Sequence, residues 1–136
     1  MENRRTVVIG VTGGIAVYKA LDVISRLKKE NVDVHVIMTK SAIEFVNPIS
    51  FQTLSQNMVI HDMFEEPKAW EIQHVYLAKK ADLFVVVPAT ANIIGKIANG
   101  IADDMLTTTI MATKAPVIFA PAMNVNMRSE EHTSEL

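Results

Sequence analysis

The sequence predicts an α/β fold, a doubly wound, Rossmann-like parallel sheet with helices on both faces. Three observations predict it. Short apolar runs, Thr6 to Val11, Leu83 to Val87 and Val117 to Ala120, alternate with stretches of helical period, and strands alternating with helices imply a mostly parallel sheet. A glycine turn, Thr12-Gly13-Gly14, joins the first run to a helical pattern that leads into a second strand, a βαβ unit whose crossover is right-handed. Small polar residues follow the strands at Thr39, Ser41, Thr90, Asn92 and Asn124, on the edge where open α/β sheets bind ligands.

Each element has its own warrant. Thr6 to Val11 (TVVIGV) is β-branched and reads as a central strand. From Ile15 to Lys29, Val17, Leu21, Ile24 and Leu27 recur at helical spacing, with Lys28 and Lys29 at the end where the helix dipole favours cations. Asn31 stops that helix. Val32 to Met38 is the second strand, with Val34, Val36 and Met38 alternating against Asp33, His35 and Ile37. Thr39-Lys40-Ser41 caps a short helix from Ala42 to Val46, which Asn47-Pro48 ends.

Ile49 to Leu54 reads as a further helical turn or more, and Met58 to Ile60 as a short extended piece. Residues 55 to 73 are the least regular part. His74 opens an apolar segment, Val75 to Lys80, ahead of the strand Leu83 to Val87. The stretch Pro88 to Thr109 (PATANIIGKIANGIADDMLTTT) then brings hydroxyl and amide groups to the strand end and a helix after them, an arrangement that favours an anionic ligand. Asp103 or Asp104 N-caps a helix to about Thr113. Pro116 precedes the last strand, followed by Pro121-Ala122-Met123-Asn124.

Composition narrows the function classes. The chain has 136 residues, 49% of them hydrophobic, enough for one domain with one core. A net charge of -2 gives no electrostatic case for nucleic acid. There is no cysteine, hence no disulfide, thiolate metal site or cysteine nucleophile in this sequence. No apolar run reaches the roughly 18 residues of a membrane span, and the N-terminus lacks a signal-peptide pattern. A soluble cytoplasmic protein without a membrane or nucleic-acid partner is the expectation.

Several residue sets can carry chemistry. The turn Gly10-Val11-Thr12-Gly13-Gly14 lets backbone amides approach a phosphate, although its spacing is not the dinucleotide fingerprint and the same glycines serve any tight turn. Thr39 and Ser41 follow strand two, where a ribose-binding acid would otherwise stand, and hydroxyls suit a phosphate better. Thr90 and Asn92 can bond a polar ring or phosphate, or cap the next helix. Asn124 can hold a carboxylate or amide, or make a turn. Of the four histidines, His74 is set apart by its place before the central strand, while a lone histidine is more often structural. No histidine pair has metal-ligand spacing, so no metal is expected. Asp103 and Asp104 read as helix caps rather than as an acid/base pair.

Taken together, GGIAVYK (Gly13 to Lys19), His74 with HVYLAKKAD, PATANIIGKIANGIADDMLTT and PAMNVNM (Pro121 to Met127) resemble the flavin-containing cysteine decarboxylases, in particular those acting on 4'-phosphopantothenoylcysteine in coenzyme A synthesis. The resemblance covers residues 6 to 127. It implies FMN as cofactor, met by Gly13, Gly14, Ile15, Thr39, Ser41, Thr90, Ala91, Asn92 and Ile93, with Ala122 near the ring. It implies His74 as the active-site histidine that assists proton transfer, Asn124 as the residue fixing the cysteinyl carboxylate, and Met127 beside it in the substrate site. The implied reaction is oxidation of the cysteinyl carbon bearing sulfur, loss of carbon dioxide from the resulting thioaldehyde, and re-reduction of the enethiol. It further implies a homotrimer, or a dodecamer of trimers, with flavin at subunit interfaces, and a phosphopantothenate–cysteine ligase domain fused behind it or acting as a partner.

Two departures accompany the resemblance. Members that make the saturated thiol use a downstream cysteine, and this sequence has none. Arg128 to Leu136 (RSEEHTSEL) is polar and aperiodic and matches the translation of a common sequencing-adapter read. The expectation is an incomplete FMN-binding decarboxylase domain over residues 1–127, its C-terminal part missing, and a non-native tail over 128–136. Different codons in the underlying nucleotides would sink the tail reading. The chain so read binds FMN and does not complete turnover to 4'-phosphopantetheine. Alternatives within the same resemblance are a peptidyl-cysteine decarboxylase of lantibiotic type, a flavin prenyltransferase (against which His74 and Asn124 argue) and a non-catalytic flavin-fold regulatory subunit.

Overall fold

The computed structural model describes residues 4–61 and 75–121. The chain runs β1 (Thr6–Val11), a 3-10 turn (Ile15–Val17), α1 (Tyr18–Lys29), β2 (Asp33–Met38), α2 (Lys40–Ile43) and α3 (Pro48–Ser55). It resumes with α4 (residues 75–80), β3 (Leu83–Ala89), α5 (Ala91–Ala98), α6 (Met105–Ala112) and β4 (Val117–Pro121).

All strand pairs are parallel and the sheet order is β2-β1-β3-β4. β1 is central and buried along its whole length, as a β-branched run covered on both faces should be. Thr6 to Val11 pair in register with Asp33 to Met38, and Val7 to Gly10 with Leu83 to Val86. The chain therefore leaves β1 toward one edge and returns to start β3 on its other side. That reversal opens a crevice at the carboxyl ends of β1 and β3.

Two cores flank the sheet. On one face Val7, Ile9, Val11, Val34, Val36 and Met38 meet Ala20 and Ile24 of α1, Ala42 of α2 and Phe51 of α3. On the other, Val8, Ile37, Phe84 and Val86 meet Leu77 of α4, Ile93 of α5, and Met105, Leu106 and Ile110 of α6. The predicted doubly wound architecture is the observed one. Ile37, grouped by alternation with the half-buried Asp33 and His35, is fully buried because helices cover this face too. At Gly10 a Cβ would lie 2.5 Å from Leu106 Cδ1, so the missing side chain is what lets α6 seat on the sheet.

The structure corrects several boundaries. The helix expected from Ile15 begins as a 3-10 turn and becomes α-helical at Tyr18. The helix expected over Ala42 to Val46 is Lys40–Ile43, because the Thr39 hydroxyl accepts from Ala42 N and starts it earlier. Asn47-Pro48 does not only end that helix. Asn47 Oδ1 accepts from Ile49 N and Pro48 opens α3, the first-turn position where a proline's missing N–H costs nothing. The segment at 75–80 is helical. β3 runs on past Val87 to Ala89, with a register shift against β4 between Val86 and Ala89 that accommodates Pro88. Met58 to Ile60 is extended as expected, Ile60 bridging to Ile37.

At the opposite, amino-terminal edge of the sheet Asp33 gathers a polar network. His35 Nε2 lies 3.1 Å from its Oδ2, Asn57 Nδ2 donates to Oδ1 at 3.3 Å, and Arg4 and Lys80 each approach to 3.7 Å. Partial burial alone would raise the Asp33 pKa. The His35 charge and the hydrogen bonds from His35 and Asn57, with Lys80, outweigh it and hold the carboxyl below its usual 3.8.

Candidate functional site

The crevice between β1 and β3 is a cleft of about 390 Å³. Four chain segments among the described residues line it: the turn after β1, the turn after β2, the end of β3 leading into α5, and Asp104 at the start of α6. Thr12 ties two of them together. Its buried hydroxyl donates to the Pro88 carbonyl, and Thr90 N donates to it at 3.3 Å.

The glycine turn has two distinct requirements. A Cβ on Gly13 would lie 2.5 Å from Ser41 Cβ, so glycine is what permits the first wall to approach the second. Gly14 has φ +130, a conformation L side chains rarely adopt, and nothing lies within 4 Å of where its Cβ would be. The backbone there is open to a ligand.

Thr39 and Thr90 occupy equivalent positions after β2 and β3. Thr39 Oγ1 accepts from Ala42 N at 3.2 Å as the N-cap of α2, and Thr90 Oγ1 accepts from Ile93 N at 3.3 Å as the N-cap of α5. The capping alternative for Thr90 thus holds, and it does not compete with a ligand role. A capping hydroxyl spends a lone pair and keeps its proton to donate. Both residues line the cleft, as do Gly13, Gly14, Ser41, Asn92 and Ile93.

Two predicted residues stand beside the cleft rather than among its lining. Ile15 opens the 3-10 turn and is 85% exposed, and Ala91 is the first residue of α5. What either offers a ligand is its backbone amide at a helix start. His74, Ala122, Asn124 and Met127, together with the tail 128–136, lie outside the described residues. Asp104 caps α6 as expected: its Oδ1 accepts from Thr107 N at 2.8 Å and from Thr107 Oγ1 at 2.7 Å. Asp103 pairs with Lys96 at 3.1 Å. Among the described residues no group of three or more acidic or histidine side chains is placed to hold a metal, and no helix is long and apolar enough to cross a membrane.

Lys40, Phe45, Lys96 and Asp104 also line the cleft, none of them expected from the sequence as a ligand-binding residue, and Thr12, expected only as part of the glycine turn, lines it with them. Lys96 had a signal: it stands four residues after Asn92 and so on the same face of α5. Lys40 opens α2, ahead of the boundary expected from the sequence, and Phe45 lies in the turn just after that helix. Thr12 depended on the long-range bond to Pro88.

The donor set is backbone N–H groups at helix starts, hydroxyls with protons to give, and two lysines. Among the described residues the one lining carboxylate, Asp104, is engaged by the N-terminus of α6, where a backbone N–H and the helix dipole offset its charge. Such a cleft suits an elongated polar ligand carrying a phosphate.

A sequence model described as Flavoprotein matches residues 1–135. The coenzyme A biosynthesis bifunctional protein CoaBC of Bacillus subtilis (strain 168) is 56% identical over 127 residues, 93% of this chain and 31% of that protein. Its namesake from Borreliella burgdorferi is 45% identical over 129 residues, 95% of this chain and 33% of that one. The chain spans about a third of the length of these curated relatives. Among solved structures, the FMN-dependent cysteine decarboxylase TvaF from thioviridamide biosynthesis superposes with a TM-score of 0.84 at 32% identity, covering 94% of this chain and 79% of that one. A PPC decarboxylase mutant, C175S, complexed with pantothenoylaminoethenethiol superposes at 0.75 and 27%, covering 97% and 74%.

Proposed function

The chain belongs to the Flavoprotein family, and from that premise we propose that it is the FMN-binding decarboxylase part of a coenzyme A biosynthesis enzyme, acting on 4'-phosphopantothenoylcysteine. The observation that carries the reading is the cleft itself: at the β1/β3 reversal it presents an open glycine backbone and two capping threonines with protons still to donate. The reading is supported by a general rule: in flavodoxin-like sheets FMN binds at the β1/β3 switch point.

The residues present fit FMN. Gly13, Gly14 and the amide of Ile15 would receive its phosphate with the hydroxyls of Thr39 and Ser41. Thr90, Ala91, Asn92 and Ile93 would hold the remainder, with Ala122 near the ring. When bound, FMN supplies the two-electron oxidation that makes loss of carbon dioxide feasible. The chain's own work is orientation and proton movement. His74 would move a proton at the substrate sulfur-bearing end. Asn124 would hold the departing carboxylate in position, with Met127 beside it.

A peptide substrate is the second reading, favoured by the high structural likeness to TvaF. The 56% identity to a CoaBC protein against 32% to TvaF weighs toward the smaller substrate. CoaBC relatives extend well beyond this chain, which supports a ligase partner domain in the complete protein. Ile15, Tyr18, Phe45 and Ile49 are exposed large apolar side chains, the kind of residue a subunit contact covers, which is in keeping with a homotrimer, or a dodecamer of trimers.

Loading the purified protein with FMN and following carbon dioxide release tests the reading. Release from 4'-phosphopantothenoylcysteine and not from a C-terminal cysteinyl peptide is expected. A protein that takes up no flavin, or one that decarboxylates only the peptide, overturns it.

A further inference from the structure

The FMN contacts proposed for the cleft leave Lys96 without a role. It sits on α5 four residues beyond Asn92, lines the cleft, and its side chain is only 26% exposed. A lysine covered to this extent buries its stem and keeps its ammonium toward open space. Asp103 Oδ1, at 3.1 Å, is its one acceptor among the described residues. An ammonium has three protons to donate.

The partner is loosely held. Asp103 is 53% exposed and stands in the connection between α5 and α6. An ion pair with one exposed member contributes little to stability. A phosphate monoester brings more charge and more acceptor oxygens than a carboxylate, and can take over the donors Asp103 leaves unused or displace it. The neighbouring Asp104 is not a competing partner for the lysine, because its carboxylate is already engaged by the backbone N–H and the hydroxyl of Thr107.

We propose that Lys96 is a phosphate-binding residue of the cleft, paired with Asp103 as a replaceable partner and giving its charge to the phosphate monoester of the bound molecule. The inference rests on the flavin reading. The phosphate can belong to the flavin or to the phosphopantetheine end of the substrate, and the two sources are separable.

The experiment compares wild type, Lys96→Met and Asp103→Asn. FMN and riboflavin are titrated by flavin fluorescence, and 4'-phosphopantetheine and pantetheine against FMN-loaded protein by calorimetry. Lys96→Met should weaken the phosphorylated member of one pair about tenfold or more, a charge-assisted hydrogen bond's worth, and its unphosphorylated counterpart less than about twofold. Loss in the flavin pair assigns the phosphate to the cofactor, and loss in the pantetheine pair assigns it to the substrate. Asp103→Asn removes the competing carboxylate without touching the cleft wall and should strengthen the same phosphorylated molecule, more so at low salt. It decides the matter if Lys96→Met does not fold. Equal effects on both members of each pair, or no effect in either pair, overturn the proposal. Wild type that binds no flavin overturns the underlying reading instead.

Discussion

The Thr12 hydroxyl joins the ends of β1 and β3, donating to the Pro88 carbonyl and accepting from Thr90 N at 3.3 Å. The Thr12–Pro88 bond is buried, so water cannot replace it at little cost. Thr12→Val keeps the shape and leaves both the carbonyl and the amide unpaired. Removing one partner of a buried hydrogen bond costs about 1–3 kcal/mol. The denaturation midpoint should fall accordingly, and FMN should bind more weakly because the two walls lose their tie. Thr12→Ser should restore most of both properties. A Thr12→Val protein as stable as wild type would mean the tie contributes nothing.

Gly13 and Gly14 should fail differently. In Gly13→Ala the new methyl would lie 2.5 Å from Ser41 Cβ and 3.1 Å from Ser41 C, a backbone atom that cannot swing aside. The turn and the start of α2 must separate, at about 1–3 kcal/mol for overpacking. Gly14→Ala meets no atom within 4 Å, so its cost is backbone strain at φ +130. Urea denaturation should show both destabilised. The structure of Gly13→Ala should show α2 displaced, and that of Gly14→Ala should not.

These two glycines also show what was legible in the sequence. The turn itself was readable from strand–glycine–helix order, and so were the positions of Thr39, Ser41, Thr90 and Asn92 at strand ends. Local pattern carries that information because each lies within a few residues of a strong apolar run. Ser41's contact with Gly13 and Thr12's bond to Pro88 join residues far apart in sequence, and no periodicity encodes them. The start of α2 was misjudged because the capping hydroxyl of Thr39 outweighed the apolar spacing further on. The same effect hid Lys40.

The network at the other edge predicts a pH dependence. The Asp33 carboxyl is held below 3.8 in the folded state. A depressed carboxyl contributes its stability fully above its unfolded pKa and loses it as pH falls through the lower folded value. Wild type should therefore lose more stability than Asp33→Asn between about pH 5 and pH 2. Near neutral pH the variant should be the less stable, since its side-chain amide would offer His35, Arg4 and Lys80 no charge. Midpoints measured across that range check it, and parallel curves for the two proteins would contradict it.

The last prediction separates capping from ligand binding at Thr90. Its Oγ1 accepts from Ile93 N, and the same residue lines the cleft. Aspartate is at least as good an N-cap as threonine and favours the positive end of a helix. Thr90→Asp should therefore leave the denaturation midpoint within about 0.5 kcal/mol of wild type, or raise it. In the cleft the exchange has the opposite sign: a proton donor becomes a carboxylate that only accepts and that repels a phosphate. FMN affinity should drop about tenfold or more, while Thr90→Ser should keep both functions. Thr90→Ala completes the set, losing about 1 kcal/mol of cap stability along with the donor. If Thr90→Asp bound FMN as wild type does, Thr90 would be a cap alone. The flavin would then be held by the glycine turn and the second wall without it.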